Sequence, residues 1–228
     1  MDLKQDEQAR KRSQHSLEMF GEGTRGRILR GTAVSVSRRG VRDITVQHIL
    51  EASEVSRRTF YKTFQSAEDA LDALFEVSTR MFAGSIHMAA AGEPDPLRRI
   101  ICAVDAYLDL QQVGGRLIME LQFESIRPDS LLGPRRERLF DMLVELFDNC
   151  VNRIVGRPVD PLLVRGAMLS LEGLVLHIQR EGVFTDESRH RVRRVFLATL
   201  AGALNADEVG EFELPHPPAT PARQPSAS

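Results

Sequence analysis

The stretch Ser56-Arg-Arg-Thr-Phe-Tyr-Lys-Thr-Phe64 carries the side chains that grip and read a nucleic-acid duplex. Arginine and lysine donate to guanine edges and phosphate oxygens, a threonine methyl suits a thymine methyl, and a tyrosine hydroxyl reaches phosphate. On a helix Phe60 and Phe64 lie four apart on one face and pack inward, which turns Arg57, Arg58, Thr59, Tyr61 and Lys62 outward. The competing reading is a solvated cationic helix surface. Its neighbours in the chain decide between the two.

Other chemistries find less support. Gly21-Glu-Gly23-Thr-Arg-Gly26 fits the dinucleotide fingerprint, but that motif needs a buried strand before it and another after its helix. Gln14 to Phe20 is not strand-like, and Val41 to Leu50 reads as turn and helix. The six histidines, His15, His48, His87, His177, His190 and His216, form no H-x-x-x-H pair, and no Gly-x-Ser-x-Gly elbow occurs. Cys102 and Cys150 lack metal or redox spacing and read as small buried residues. We expect no catalytic residue, no metal site and no cofactor.

The elements that must position the cationic stretch are helices, since no segment alternates apolar and polar residues long enough for a strand. The first is expected from Thr24, as N-cap, to Arg39, with Ile28, Leu29, Ala33 and Val36 inward and Gly40 as its stop. Thr45 caps a second, with Ile44 and Ile49 at the spacing of a hydrophobic staple. Ser56 caps a third, with Val55 and Phe60 at the same spacing, and Glu51 to Val55 supplies a tight turn between them. Two short capped helices joined by a turn form the unit that lays its second helix in a major groove. Charge agrees: Met1 to Gln65 holds 13 Lys plus Arg against 8 Asp plus Glu, whereas the remainder holds 17 against 24.

This pattern resembles the TetR family of transcriptional regulators. The matching residues are Arg27-Ile-Leu29, Ala33, Gly40, Thr45-Val46, Ile49, Ala52, Val55-Ser56, Thr59-Phe-Tyr61 and Phe64. The resemblance implies a DNA-binding site of Thr45, Ser56, Arg57, Arg58, Thr59, Tyr61 and Lys62. Thr45, Tyr61 and Lys62 would sit on the backbone, and Arg57, Arg58 and Thr59 would face base edges, Arg58 first among them. Two positions depart from the family: Glu54 stands where a turn glycine is usual, and Ala67 where a lysine usually meets phosphate. Arg25, Arg38 or Arg39 are candidates to replace that cation.

Beyond Ser66, which caps a longer fourth helix, helices are expected at about 95 to 112, 115 to 126, 134 to 155, 160 to 181 and 187 to 205. The fold expected is all-α: an N-terminal three-helix helix-turn-helix domain (23–68) and a C-terminal helical ligand-binding and dimerisation domain (69–207), between disordered tails at 1–22 and 208–228. The helix at 160 to 181 is too apolar on too many sides for one buried stripe. With the helix after it, marked by Val192, Val195, Phe196, Leu200 and Leu204, it would form a four-helix homodimer interface. A two-fold dimer favours a palindromic operator on double-stranded DNA. A small-molecule effector among the later helices would meet Tyr107, Gln111, Glu120, Gln122, Glu124 and His177 as polar groups, with Met88, Met119, Phe123 and Met168 as apolar wall.

Met1 to Arg12 is charged throughout without an apolar signal region, and Arg165 and Glu172 interrupt the most apolar stretch. A cytoplasmic protein with no membrane partner and no enzymatic activity is therefore expected, acting as a repressor. A helical protein-interaction module without specific DNA binding is the alternative.

Overall fold

The computed structural model describes residues 20–206. The expected tail at 208–228, and most of that at 1–22, lie outside the described residues. Eight helices follow one another there, with no strand among the described residues: α1 Thr24–Arg39, α2 Val46–Ser53, α3 Arg57–Tyr61, α4 Ala67–Ala90, α5 Pro96–Ser125, α6 Gly133–Val155, α7 Pro161–Glu181 and α8 Asp186–Ala206.

Local chemistry sets most of the boundaries. Thr45, Ser56 and Ser66 each accept a hydrogen bond from the backbone N–H three residues on, at His48, Thr59 and Asp69, and so satisfy a donor that the helix leaves free. The first helix differs from expectation by one residue. Its cap is Gly23, with no side-chain bond, and the preceding turn is held instead by Arg30 Nη1 donating to the Gly21 carbonyl at 2.6 Å. The expected break at Gly114-Gly115 is a kink within α5, where Gly115 takes φ 49, ψ −131, outside the helical basin.

Two apolar clusters organise the chain. The head cluster joins Ile28, Leu29, Ala33 and Val36 of α1, Ile49 of α2, Phe60 of α3 and Phe64, and runs on through Ala70, Leu71 and Leu74 of α4 to Leu121 and Leu132. Phe60 is fully buried, and covering a side chain of that size contributes about 2–3 kcal/mol. The close fit of α1 on α2 depends on Gly31, where a β-carbon would lie 2.6 Å from Ser53 Cβ and 2.8 Å from its backbone nitrogen. The body cluster is built from Val104 and Leu108 of α5, Phe140, Leu143 and Phe147 of α6, Val164, Leu171 and Val175 of α7, and Val192 and Phe196 of α8.

Ion pairs between helices fix the body's layers. Arg135 grips Asp72 with two 2.6 Å bonds, tying α6 to α4, and the guanidinium holds the Asp72 carboxyl below its usual range. Arg165 of α7 reaches Glu137 and Asp141 of α6, and Arg193 of α8 reaches Asp105 of α5 at 2.8 Å. By length and composition α7 could cross a membrane, but Val164, Ala167, Leu171 and Val175 pack into the body and its Glu172 is buried against Arg136. It is placed here as a core helix.

Candidate nucleic-acid interface and ligand cavity

The head presents α3 on a rigid base. Phe60 and Phe64 anchor it from beneath, and Ser56 closes its start, its Oγ accepting from Thr59 N at 3.1 Å and lying 2.8 Å from Thr59 Oγ1. Glu54, between α2 and α3, takes the left-handed conformation (φ 54, ψ 35) that glycine would adopt without strain. Arg27 braces this turn by donating from Nη2 to the Glu54 carbonyl at 2.9 Å. The missing turn glycine thus leaves the turn's path intact, with a side chain of α1 holding it.

The outward side chains divide by engagement. Arg57 is exposed but donates to Gln47 Oε1 of α2 at 3.1 Å. Arg58 and Lys62 are exposed and form no hydrogen bond or ion pair with any described residue, and Tyr61 is half-exposed with its ring edge-on to Phe60. Thr45 keeps its own hydroxyl proton free after accepting from His48 N. Exposed donors therefore stand on α3 and at the start of α2. Ala67 is buried in the head cluster, so a lysine's charge there would have to leave the core. Of the three arginines that could replace it, Arg25 stacks 5.1 Å over the Phe64 ring, next to α3. Arg38 and Arg39 are exposed at the far end of α1, by Gly40.

The body contains a cavity of about 160 Å³, open at one side and lined mainly by apolar side chains of α4, α5 and α6, among them Phe82, Val104, Leu121, Phe140 and Phe147, with Phe20 from the segment before α1. At its polar wall Arg136 and Glu172 pair at 2.5 Å, both largely buried, and the Arg136 guanidinium lies 4.4 Å over Phe140. The Tyr107 hydroxyl and Gln122 Oε1, both in the wall, are buried and meet no partner at full hydrogen-bonding geometry, although the Gln122 side chain lies close enough to act on the phenol. Burial first, and then the Glu172 carboxylate, push the Tyr107 phenol above the ordinary tyrosine range.

Of the ten expected effector contacts, Tyr107, Gln122 and Met168 line this cavity and the other seven do not. Gln111 is fully buried but accepts from Gln179 Nε2 of α7 at 3.2 Å. Glu120 packs against Gly40 and pairs with Arg116. Phe123 lies under the Arg180 guanidinium, 5.1 Å away, and His177 is exposed beside Glu181. Glu124 pairs with Arg42 at 3.4 Å, Met88 is exposed, and Met119 is not in the wall. The sequence reading missed Arg136 and Glu172: their partnership spans 36 residues, and no local pattern announces it.

A third surface lies on α7 and α8. Leu162, Gly166, Leu169, Gly173 and His177 follow each other at helical spacing, and all are exposed. Val195, Ala198 and Gly202 do the same on α8. Both helices bury their other sides in the body cluster.

No protein-family model and no curated protein matches the chain. Solved structures do. The fatty acid degradation regulator FadR from Bacillus halodurans superposes with a TM-score of 0.69 at 18% identity, over 79% of this chain and 97% of its own. A TetR-family transcriptional regulator from Streptomyces coelicolor gives 0.64 at 16% identity, over 86% and 95%. The regulatory protein TetR from Rhodobacter sphaeroides gives 0.59 at 22% identity, over 75% and 95%. The head and the helical body together superpose on these proteins over most of their length: the chain has the all-helical fold of the TetR-family transcriptional regulators.

Proposed function

We propose that the chain is a homodimeric, sequence-specific DNA-binding transcriptional regulator, acting as a repressor that a small molecule in the body cavity releases from a palindromic operator. The observation that carries this reading is α3: a short helix seated on buried phenylalanines, with Arg58, Tyr61 and Lys62 exposed and Thr45 free to donate nearby. Thr45, Ser56, Arg57, Arg58, Thr59, Tyr61 and Lys62 form the DNA surface, with Arg25 as an added phosphate contact. The exposed apolar and glycine face of α7 and α8 supports the homodimer, since two copies would cover it across a two-fold axis.

Release has a physical route. Leu117, Ile118, Leu121 and Gln122, beyond the α5 kink, line the cavity. The same segment touches the head through Glu120 at Gly40, where a β-carbon would lie 3.1 Å from Oε2, and through Glu124 to Arg42. A ligand that prefers one position of this segment shifts the population of head orientations with it.

The test is the affinity of the purified full chain for the duplex it selects, measured against salt. A dimer making six to ten phosphate contacts loses about a thousandfold or more between roughly 50 and 200 mM salt. Weak, salt-insensitive association would instead favour a helical module that binds another protein.

A further inference from the structure

The polar wall of the body cavity discriminates by charge, and this deepens the effector reading on which it rests. Arg136 is the cation nearest the enclosed space, and its charge is already taken: Nη2 lies 2.5 Å from Glu172 Oε2 and Nη1 lies 3.0 Å from Glu137 Oε1. A second anion at Arg136 would lie beside the Glu172 carboxylate that already neutralises it, in a buried setting where water screens their repulsion little. A cation would face the same guanidinium. Neither charge has a free counter-ion among the residues that line the cavity.

Three polar atoms at this wall lack a well-formed hydrogen bond: the Tyr107 hydroxyl, Gln122 Oε1 and Arg136 Nε, with the Gln122 side chain close to the phenol. Tyr107 is more than nine-tenths buried. Buried polar groups in folded proteins are almost always satisfied, so a cluster of three unmet ones beside an enclosed apolar volume marks the place of a missing polar group. Their chemistry defines it. Arg136 Nε can only donate, Gln122 Oε1 can only accept, and the phenol, held protonated by burial and by Glu172, can do either.

The rest of the enclosure is aromatic and aliphatic, with Phe75, Phe82, Phe140, Phe147 and Phe196 around it. Its volume of about 160 Å³ is close to that of engineered apolar cavities that accept benzene, and its open side lets a longer tail run out.

We propose that the effector is an uncharged, largely apolar molecule with a single head group that both donates and accepts a hydrogen bond, such as a phenol, alcohol or carboxamide. The head is held by Tyr107, Gln122 and Arg136, and the tail lies among the phenylalanines.

Calorimetric titration of the full-length chain near pH 7 with four probes of matched shape tests this: 4-propylphenol, propylbenzene, 4-propylbenzoate and 4-propylbenzylamine. The phenol is expected to bind at least about tenfold more tightly than each of the others. Tyr107→Phe, which keeps the ring, and Gln122→Leu should each reduce the phenol's advantage over propylbenzene without weakening propylbenzene itself. Equal or tighter binding of the benzoate or the amine overturns the proposal, as does a phenol that binds no better than propylbenzene or that ignores both substitutions. If none of the four binds, the proposal and the effector cavity fall together. Operator binding by the ligand-free chain, measured on the same preparation, tells separately whether the DNA-binding reading stands.

Discussion

Arg58→Ala is expected to lower affinity for the selected operator by about 5- to 150-fold per half-site, and to relax the sequence preference at the base pairs it faces. The side chain stands on the exposed surface of α3 with no partner among the described residues, which leaves its donors open to DNA. A bidentate contact to a guanine edge contributes about 1–3 kcal/mol of discrimination, and a two-fold dimer makes it twice. Arg57 differs: it donates to Gln47 and must give up that bond to reach a base, so its replacement should cost less. Lys62→Ala separates reading from gripping. It should weaken binding evenly across sequences and lower the salt slope by about one. Titrations of both variants on the operator and on scrambled duplexes read these differences directly. Equal loss on all sequences for Arg58→Ala would move that residue from base to phosphate.

Leu169→Glu should convert the proposed dimer to monomers while the helices stay formed. Leu169 is 42% exposed on α7, between Gly166 and Gly173, so a glutamate there leaves the protomer's core untouched. Across a two-fold axis, however, each copy would bury an unpaired carboxylate. Each such burial costs about 3–5 kcal/mol, which raises the dissociation constant by roughly a thousandfold or more. Operator affinity should fall by about 100-fold or more as well, because the second head loses the local concentration that the first supplies. Sedimentation velocity and operator titration check both effects, with circular dichroism as the control. An unchanged dimer would place the interface elsewhere.

The sequence was most legible where the determining physics is local. Thr45, Ser56 and Ser66 cap the helices that their types and positions announce, because a side-chain oxygen three residues before a free N–H needs no distant partner. Glu54 was recognisable as an irregular turn residue, but its brace, the Arg27 guanidinium, comes from 27 residues away. Gly31 has no local signature at all, since its need for glycine is set by Ser53 of α2. The cavity was the least legible part. Helical spacing tells which residues of α5 share a face but not which neighbour covers that face. Tyr107 consequently lies in the cavity wall, while Gln111 meets α7, Glu120 meets the head and Phe123 meets Arg180. His177, on a helix apolar nearly all round, sits on the exposed face of α7, away from the cavity.

The central claim is that α3 reads DNA as one of a two-fold pair, and selection of binders from random duplex by the purified full-length chain tests it most directly. The expected winner is a palindrome whose half-site centres lie one helical turn apart, roughly 34–36 Å, or a whole multiple of it. Enrichment of no sequence, or of a single half-site bound by one protomer, would contradict it.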